Sequence, residues 1–514
     1  MNTTENIFFA FLFLTCIFIC GCGTLPPRPP TPDVYSLPPA TSGTPAEVSR
    51  VFSDTQKHGE CGFLLLSRND EALKWRRALI DNATSSIDAQ YFLWANDDIG
   101  LFLFEGLLKA ADRGVRVRLL VDDFYLASKD RNIATISMHP NFDISIFNPR
   151  SVRRRGWASS LEFLFNLKQL NRRMHNKLFI VDNQIAIVGG RNISNSYFGL
   201  SKKYNYRDLD VLLIGSVIEQ ISHAFDEFWN SDFAYPGIAM SSKAKQEDLN
   251  LIRESVSQYL IDRKDMLESY PVDPLQWKQM LRQLPERMES GPAYFLQDEP
   301  VKMGQENLRL NDMLEYLAEP SCEELIIVSP YCIPDKRSFE FVNKLISEGV
   351  KIKVLTNTLG SNNQPAAHAH YKKYRKRILA TGTELYEFRY EPSATIREMS
   401  DVPPIEATFI SLHIKVLVGD RARCFIGSLN QDPRSIVINT ENGLYIESAE
   451  LSRQLKEQLD LLMSPDNSWR VFLNDKKKLR WESSDGIVTS QPARNFPQRI
   501  RDVFYGLLPI EKQL

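Results

Sequence analysis

The chain has 514 residues, a formal net charge of −2 at pH 7 and 43% hydrophobic residues. This length is too great for one small domain and suits two. Because acidic and basic residues nearly balance, the composition gives no sign of a nucleic-acid-binding protein, and no nucleic acid is expected as a partner.

The N-terminal segment, residues 1–22, has the pattern of a lipoprotein-like signal peptide or membrane anchor. Its apolar run, residues 7–20, is short for a bilayer span and suits a signal-peptide core. The run closes on Ile19-Cys20-Gly21-Cys22, which is similar to a bacterial lipoprotein cleavage box with Cys22 as the lipidated residue. Residues 1–6 lack the usual Lys or Arg, so an uncleaved anchor is the alternative. Either form predicts a membrane-held protein on the periplasmic side of a bacterial cell envelope.

A proline-rich segment follows at residues 23–55. Proline at this density favours extended, semi-rigid chain and excludes helix or central strand. We therefore expect a tether that lifts the folded body off the bilayer. The later cysteines lie mostly among apolar residues and are expected to be buried thiols without disulfides, namely Cys61, Cys322, Cys332 and Cys424.

From residue 72 onward, predicted helices and strands alternate, and the second half of the chain repeats the order of the first. Such alternation predicts an α/β fold with a mixed, largely parallel sheet in each half and helices on its faces. The whole chain is thus expected to be an internal duplication. The predicted boundaries are 56–242 for the first domain, 243–295 for a helical connector, and 296–514 for the second domain with a C-terminal tail.

One short pattern occurs in both halves. Residues 174–182 contain His175 and Lys177 before an apolar run, and Gly189-Gly190-Arg191-Asn192 follows. Residues 413–420 repeat this with His413 and Lys415, followed by Gly427-Ser428-Leu429-Asn430. A single His-x-Lys on a strand is usually a surface pair, but two copies with the same internal spacing indicate a function.

On an extended strand, each His and Lys would point to the same face. An imidazole beside a fixed positive charge, with neutral amide donors nearby, suits a phosphoryl group. One imidazole can attack phosphorus while the other protonates the leaving oxygen and later deprotonates the incoming alcohol or water. The pattern therefore predicts an enzyme acting on a phosphodiester.

The two stretches match the His-x-Lys-x4-Asp signature, and the chain resembles the phospholipase D superfamily. Its wider sequence is similar to bacterial cardiolipin synthases of the C type, from about residue 61 to residue 514. The passages that carry this likeness are Leu170-Asn171-Arg172-Arg173-Met174-His175-Asn176-Lys177, Val188-Gly189-Gly190-Arg191-Asn192-Ile193, Arg207-Asp208-Leu209-Asp210-Val211, Gly427-Ser428-Leu429-Asn430-Gln431-Asp432-Pro433-Arg434-Ser435 and Asn439-Thr440-Glu441-Asn442-Gly443.

The resemblance implies two phospholipase D-type α/β/α sandwich domains related by a pseudo-twofold axis, with His175 and His413 facing each other at their interface. It makes His175 the favoured nucleophile and His413 the acid and base. Each His also needs a carboxylate to orient its ring; Glu441 fits this role in the second half, and Asp208 is its counterpart in the first. The other implied site residues are Lys177, Lys415, Asn192 and Asn430 around the phosphate, with Gly190 and Ser428 allowing close approach of a ligand.

Asp182 and Asp420 follow the motif strands and are expected to tie turns rather than to catalyse. Neither a cofactor nor a metal is expected, since the nearest metal-ligand pattern, His368-Ala369-His370, has no carboxylate or Cys neighbour. The basic run after His370 and Tyr371 fits a solvated helix face or an anionic headgroup site, and the resemblance favours one of these two residues lining the pocket. The basic and aromatic residues 150–167 fit either a membrane-docking helix or a helix packed on the body.

These patterns predict a membrane-attached phosphatidyltransferase that acts through a phosphatidyl-histidine intermediate. With phosphatidylglycerol as acceptor the product is cardiolipin, and phosphatidylethanolamine is a second possible donor of the phosphatidyl group. With water as acceptor the same residues would make phosphatidic acid, as in a phospholipase D. A non-catalytic lipid-binding scaffold would need neither imidazole. Some synthases of this type work with a helper protein, which the sequence itself does not indicate.

Overall fold

A computed structural model of the protein describes residues 25–55, 59–126, 129–153, 171–267, 274–300, 323–419 and 422–514. The chain forms two similar halves, each built on one large mixed sheet. The helices are α1 Thr44–Thr55, α2 Asn69–Asn82, α3 Asp98–Asp112, α4 Asp130–Ile136, α5 Val217–Trp229, α6 Asp248–Asp262, α7 Lys264–Leu267, α8 Pro274–Arg282, α9 Lys336–Ser347, α10 Pro365–Tyr371, α11 Arg375–Ala380, α12 Ala394–Ser400, α13 Pro433–Val437, α14 Ala449–Met463 and α15 Phe496–Leu507.

The strands belong to a nine-stranded sheet, a ten-stranded sheet and one two-stranded pair. Their bounds are β1 Cys61–Leu66, β2 Ser86–Tyr91, β3 Arg116–Asp122, β4 Phe142–Phe147, β5 Leu178–Val181, β6 Ile185–Gly189, β7 Tyr204–Arg207, β8 Asp210–Gly215, β9 Ala234–Pro236, β10 Glu289–Gly291, β11 Ala293–Gln297, β12 Glu324–Val328, β13 Lys351–Asn357, β14 Glu384–Phe388, β15 Phe409–Leu412, β16 Val416–Gly419, β17 Arg423–Gly427, β18 Asn442–Glu447, β19 Ser468–Leu473, β20 Leu479–Ser483 and β21 Gly486–Val488.

The strand order shows the duplication directly. The first sheet contains the order β8-β6-β5-β2-β3-β4-β9, and the second contains β18-β17-β16-β12-β13-β14-β19. Only β2-β3-β4 and β12-β13-β14 run parallel, because helices cross between those strands. The motif strands β5 and β16 form antiparallel hairpins with β6 and β17, so the sheets are mixed as predicted but not largely parallel.

The two halves share one hydrophobic core. The inner faces of both sheets pack with α5 and α14, which follow equivalent strands β8 and β18, while separate clusters lie under the outer helices of each half. β7 and β15 then pair in parallel across the boundary between the halves. This shared core holds the two copies of the motif in a fixed relation, which a site assembled from both halves requires.

The proline-rich segment differs from its prediction. Residues 25–55 lie against the first half, where Arg118 donates to the Val34 carbonyl at 2.8 Å, and the Ser36 amide and hydroxyl donate to Asp226 at 2.8 and 2.9 Å. α1 buries Phe52 in the core. Composition predicted stiff extended chain without helix. Residues 46–55 contain no proline and form most of α1, and the backbone of Val34 and Ser36 bonds to the first half, so both expectations were wrong. The predicted tether is therefore part of the folded domain over these residues.

The helical connector also packs on the first half, since α8 contacts α1 and α2, and β10 joins the first sheet beside β1. Cys61, Cys332 and Cys424 are buried free thiols, while Cys322 lies outside the described residues. Among the helices of the described ranges, none combines the length and apolar character needed to cross a membrane. Residues 1–22, including Cys22, lie outside these ranges.

Candidate active site

Each motif histidine lies in an extended stretch at the boundary between the halves, just before its motif strand. The His175 amide donates to the Thr440 carbonyl at 2.9 Å, and the His413 amide donates to the Arg207 carbonyl at 2.9 Å. Strand β5 begins only at Leu178 and β16 only at Val416, so the prediction that the histidines belong to these strands was wrong by a few residues. Each motif stretch therefore pairs with backbone of the opposite half.

As a result of this pairing, each carboxylate contacts the histidine of the opposite half. Nδ1 of His175 lies 2.7 Å from Glu441, and Nδ1 of His413 lies 2.6 Å from Asp208. The sequence had suggested one carboxylate for each half. Because Glu441 directly follows Thr440, and Asp208 follows Arg207, the backbone pairing brings each carboxylate to the histidine of the other half. Each half-site is thus completed by the opposite domain.

The two residues predicted to admit a ligand instead support the carboxylates. A Cβ atom on Gly190 would lie 2.3 Å from Oδ1 of Asp208, so only glycine leaves room for that side chain. At the equivalent position, the Ser428 hydroxyl donates to Glu441. The structure therefore assigns Gly190 and Ser428 to positioning the carboxylates, because both lie behind them.

Gly190→Ala is expected to lower kcat by about 10- to 100-fold, since the new methyl group would displace Asp208 from His413. Steady-state turnover measured alongside circular dichroism would check this. Gly506→Ala is the matched control, because a Cβ there meets its nearest neighbour at 3.6 Å and should be tolerated. Wild-type kcat in Gly190→Ala would contradict the need for a close Asp208.

Both imidazoles are neutral in the free site at pH 7. Burial lowers the pKa of His175 to about 4, opposed by Glu441 and assisted by Lys177. Burial, together with Lys415, lowers the pKa of His413 to about 3. Burial would raise the pKa values of Asp208 and Glu441, but their histidine partners lower both overall. Each Nδ1–H therefore donates to a carboxylate, which leaves the lone pair of Nε2 as an acceptor on both rings. At His413 this nitrogen faces the Tyr197 hydroxyl at 3.4 Å.

The two lysines supply the positive charge of the site. Burial lowers the pKa of Lys177 to about 7 and that of Lys415 to about 8. Each Nζ donates to the carbonyl of the histidine two residues before it, and Nζ of Lys415 also lies 2.9 Å from Nδ1 of His413. Lys415 lowers the pKa of His175, and Lys177 lowers the pKa of His413, so the four side chains are close enough to interact electrostatically across the two halves.

The two asparagines are not equivalent. The Asn192 side chain accepts from the Leu93 amide at 3.1 Å and donates to the Tyr197 hydroxyl at 3.0 Å, so both of its ends are used within the protein. Asn430 is buried, and among the described residues its Oδ1 has no hydrogen-bond partner. Of the two, Asn430 keeps polar capacity for a ligand, whereas Asn192 holds its neighbours in place.

Aromatic residues that the sequence interpretation missed surround the imidazoles. The Tyr206 ring lies 4.7 Å from that of His413, and the Tyr197 hydroxyl lies 3.4 Å from Nε2 of His413. The Phe92 ring lies 5.3 Å from that of His175. Tyr197 follows Asn192 closely in sequence, but only the three-dimensional contact identifies it. These rings exclude water from one side of each imidazole.

His370 and Tyr371 lie in a different cluster. The Tyr371 hydroxyl donates to Glu387 at 2.7 Å, and Nδ1 of His370 lies 3.0 Å from Glu511. One of these two residues was expected to line the pocket, but Tyr371 packs in the hydrophobic cluster of the second half and both side chains bond to carboxylates there. Helix α10 carries its polar side chains into the core of the second half, which the alternation of His and Ala did not reveal.

Two further predicted residues lie away from the chemistry. Asp182 accepts hydrogen bonds from the amides of Thr84, Ser85 and Ser86 and from the Thr84 hydroxyl, and ties the β5–β6 hairpin to the start of β2. Its φ of 55° and that of 51° at Asn183 put both residues in the left-handed region at the centre of the turn that the Gln184 amide closes on the Val181 carbonyl. Asp420 lies outside the described residues.

For the basic and aromatic segment, a membrane-docking helix and a helix packed on the body were the two alternatives, and its residues 154–167 lie outside the described ranges. Arg153 is buried and pairs with Asp123 and Asp130, both at 2.6 Å, so this arginine is structural. No group of three or more His, Cys, Asp or Glu side chains in the described part of the chain has metal-binding geometry.

Comparison with known proteins agrees with this geometry. The family model described as "Cardiolipin synthase, PLD-like domain" matches twice, at residues 77–229 and 313–463. A cardiolipin synthase C of Escherichia coli (strain K12) is 32% identical over 484 residues, which cover 89% of this chain and 97% of that protein. An uncharacterized protein of Helicobacter pylori (strain J99) is 29% identical and covers 98% of this chain and 99% of its own length.

Among solved structures, a phosphatidylserine synthase of Haemophilus influenzae Rd KW20 has a TM-score of 0.53 and 15% identity, covering 82% of this chain and 92% of its own. That likeness supports the fold alone. The family matches fall one on each half of the duplicated fold, and each contains one histidine motif of the shared site. The chain therefore belongs to the phospholipase D superfamily and is an enzyme of its phosphatidyltransferase type, with both half-sites supplied by one polypeptide.

Proposed function

We propose that the protein is a membrane-attached cardiolipin synthase that acts through a phosphatidyl-histidine intermediate. The observation that carries this proposal is the pair of neutral imidazoles, each held through Nδ1 by a carboxylate of the opposite half and flanked by a lysine. The similarity to a cardiolipin synthase C over nearly its full length supports the choice of substrate.

In the first step, Nε2 of His175 attacks the phosphorus of phosphatidylglycerol, and Lys177 and Lys415 balance the charge of the non-bridging oxygens. The bond from phosphorus to the glycerol headgroup breaks as His413 donates a proton to the leaving oxygen. The free imidazole of His413 is neutral at pH 7. An anionic phosphodiester favours the protonated ring, and so raises its pKa when the substrate binds.

In the second step, His413 takes the proton from a hydroxyl of a second phosphatidylglycerol. That oxygen attacks phosphorus, the bond to His175 breaks, and cardiolipin leaves with His175 restored. Free glycerol is the other product; with phosphatidylethanolamine as donor it would be ethanolamine. His175 and His413 are only 8% and 4% exposed. A buried intermediate meets water rarely, which supports transfer to a lipid alcohol over hydrolysis.

The proposal includes attachment of the chain through its N-terminal segment. The apolar residues 7–20 and the box ending at Cys22 support a lipidated anchor on the periplasmic side of the cell envelope. The folded body begins close behind, since the Leu25 amide already donates to the Ser151 carbonyl at 2.8 Å. Such a short link would hold the active site near the bilayer that contains its substrates.

A lipid product assay tests the function. Purified full-length protein would be incubated with labelled phosphatidylglycerol, with and without phosphatidylethanolamine, and the lipids resolved. Cardiolipin formation that is lost in His413→Ala is the expected result, and the label shows which lipid donates the phosphatidyl group. Phosphatidic acid alone would show that water is the acceptor, and would make the protein a phospholipase D rather than a synthase.

The lysines give the activity a distinct pH dependence. Because the pKa values of Lys177 and Lys415 are lowered to about 7 and about 8, both lysines lose their charge as the pH rises through that range. We expect kcat/KM to fall from about pH 7 upward, well below the pKa near 10.4 of an ordinary lysine. Bound phosphodiester stabilises the charged amines, so the fall in kcat should begin at higher pH than the fall in kcat/KM. Coincident profiles that stay flat to pH 10 would contradict this.

A further inference from the structure

Helix α15 presents its apolar side to solvent and its polar side to the protein. Its large apolar residues recur at spacings of three and four, which places them on one side of the helix. They are between 56% and 79% exposed, and they are Phe496, Ile500, Val503, Phe504 and Leu507. A surface helix of a globular domain normally has the opposite orientation.

The buried side of α15 is held by polar contacts. Asp502 is fully buried, lies 2.7 Å from Nδ1 of His368 and accepts from Nζ of Lys372 at 2.6 Å. Gln498 donates to the Leu359 carbonyl. These contacts fix the rotation of the helix, so the outward apolar face is a property of the fold.

The charge around the face is positive. Arg499 and Arg501 flank the apolar stripe, and the one acidic residue of the helix, Asp502, is turned inward. Lys373, two residues after α10, and Lys512 are also exposed, and Lys373 pairs with Glu511 at 3.7 Å. An apolar stripe bordered by basic residues fits the boundary between the acyl chains and the headgroups of an anionic bilayer.

The helix also lies at the rim of the active site. On one side, the Gly360 amide donates to the Pro492 carbonyl at 3.2 Å, and the same loop carries Asn363, which donates to the Tyr206 hydroxyl at 2.6 Å. Tyr206 lies against His413. The path from the helix to a catalytic imidazole therefore runs through one short loop.

The segment after the helix reaches the other motif. The Arg434 amide donates to the Leu514 carbonyl at 2.8 Å, and the Arg434 side chain donates to Asn171 at 2.7 Å. Asn171 also contacts Gln513 and lies just before His175 in sequence. Residues 491–514 thus touch the surroundings of both histidines.

We propose that α15 docks on the surface of an anionic phospholipid bilayer and turns the mouth of the active site toward it. The face is exposed, apolar and bordered by arginines, and the helix contacts the catalytic rim, so docking would bring lipid headgroups to the site. The inference rests on the proposed function in one respect, namely that the substrate resides in a bilayer. It is independent of the N-terminal anchor, which would set proximity but not orientation.

The test places an environment-sensitive fluorescent amino acid at position 507 of the full chain, reconstituted in vesicles of phosphatidylglycerol and phosphatidylcholine. Acyl-chain-brominated lipid should quench this probe about threefold, because the side chain would lie among the acyl chains. A probe at position 251 is the control, since Leu251 is also well exposed but lies on α6. An unquenched probe at position 507 would overturn the proposal. A fluorescence signal that depends on protein concentration rather than on lipid would also overturn it, because a second copy of the chain would then cover the face.

A kinetic comparison separates docking from catalysis. The double variant Phe504→Ser/Leu507→Ser should lower kcat/KM about tenfold on vesicles, where it loses buried apolar surface, and leave it unchanged on dispersed short-chain phosphatidylglycerol. Leu251→Ser/Ile261→Ser should change neither. Equal loss on both substrates would contradict docking. If brominated lipid quenches the probe at position 507 but the protein without the probe makes no cardiolipin, docking stands and the proposed function is rejected.

Discussion

His175→Ala and His413→Ala are each expected to lower turnover of phosphatidylglycerol by roughly 10⁴-fold, because one removes the nucleophile and the other the proton donor. The folded state should survive, since truncation of each ring leaves the backbone hydrogen bonds to Thr440 and Arg207 in place. Product formation and thermal unfolding would be measured on the same samples. His223→Ala is the matched control, because that imidazole side chain is 77% exposed and its ion-pair partner is Glu227 on the same helix.

The two variants should differ with an activated substrate. A phosphatidyl ester of p-nitrophenol needs no proton on its leaving oxygen, so His413→Ala should release about one equivalent of p-nitrophenolate in a burst. His175→Ala should release none. A burst from His175→Ala and none from His413→Ala would reverse the two roles, and near-normal turnover of phosphatidylglycerol by either variant would contradict the two-histidine mechanism.

Glu441→Gln and Asp208→Asn are expected to lower kcat by about 10²- to 10³-fold, because the neutral amide no longer fixes the imidazole tautomer or stabilises the imidazolium. The crossed pairing makes a sharper prediction. Glu441 opposes the lowering of the pKa of His175, so removing its charge should depress that pKa further below about 4. The pKa of His413 should respond in the same direction to Asp208→Asn.

Nitrogen NMR of ¹⁵N-labelled imidazoles would assign each effect to one histidine. Glu441→Gln should shift the Nδ1 signal of His175 and leave His413 nearly unchanged, and Asp208→Asn should do the reverse. Asp112→Asn is the control, because Asp112 lies 3.0 Å from Nε2 of a different histidine, His139, which belongs to neither motif. Effects on the histidine of the same half would contradict the crossed arrangement.

The sequence predicted which residues form the candidate site because their chemistry and their spacing are local. His175, Lys177, His413 and Lys415 share one spacing in two places, and the fold brings all four together. Asp208 and Glu441 were found as carboxylates following each motif. The sequence did not show which histidine each carboxylate contacts. That choice depends on the hydrogen bond from the His175 amide to the Thr440 carbonyl, and these two residues are distant in sequence.

Other differences have the same origin. The apolar spacing of α15 would ordinarily indicate a core-facing helix, but the buried contacts of Asp502 and Gln498 turn its apolar side outward. The family resemblance favoured one of His370 and Tyr371 on α10 at the pocket, yet both side chains are bonded within the second half, His370 to Glu511 and Tyr371 to Glu387. For both helices, a polar contact with a residue distant in sequence determines which side faces the protein, and the local sequence pattern does not show this.

The most direct test of the central claim is to trap the covalent intermediate. Full-length protein would be mixed with labelled phosphatidylglycerol, quenched in alkaline denaturant within one turnover, and its peptides analysed by mass spectrometry. We predict a phosphatidyl group on the imidazole of His175. With the p-nitrophenyl ester as donor, its occupancy should be greater in His413→Ala, because that donor needs no proton on its leaving oxygen while transfer to the acceptor is slow. Formation of cardiolipin at the wild-type rate with no histidine ever labelled would contradict a phosphatidyl-histidine mechanism.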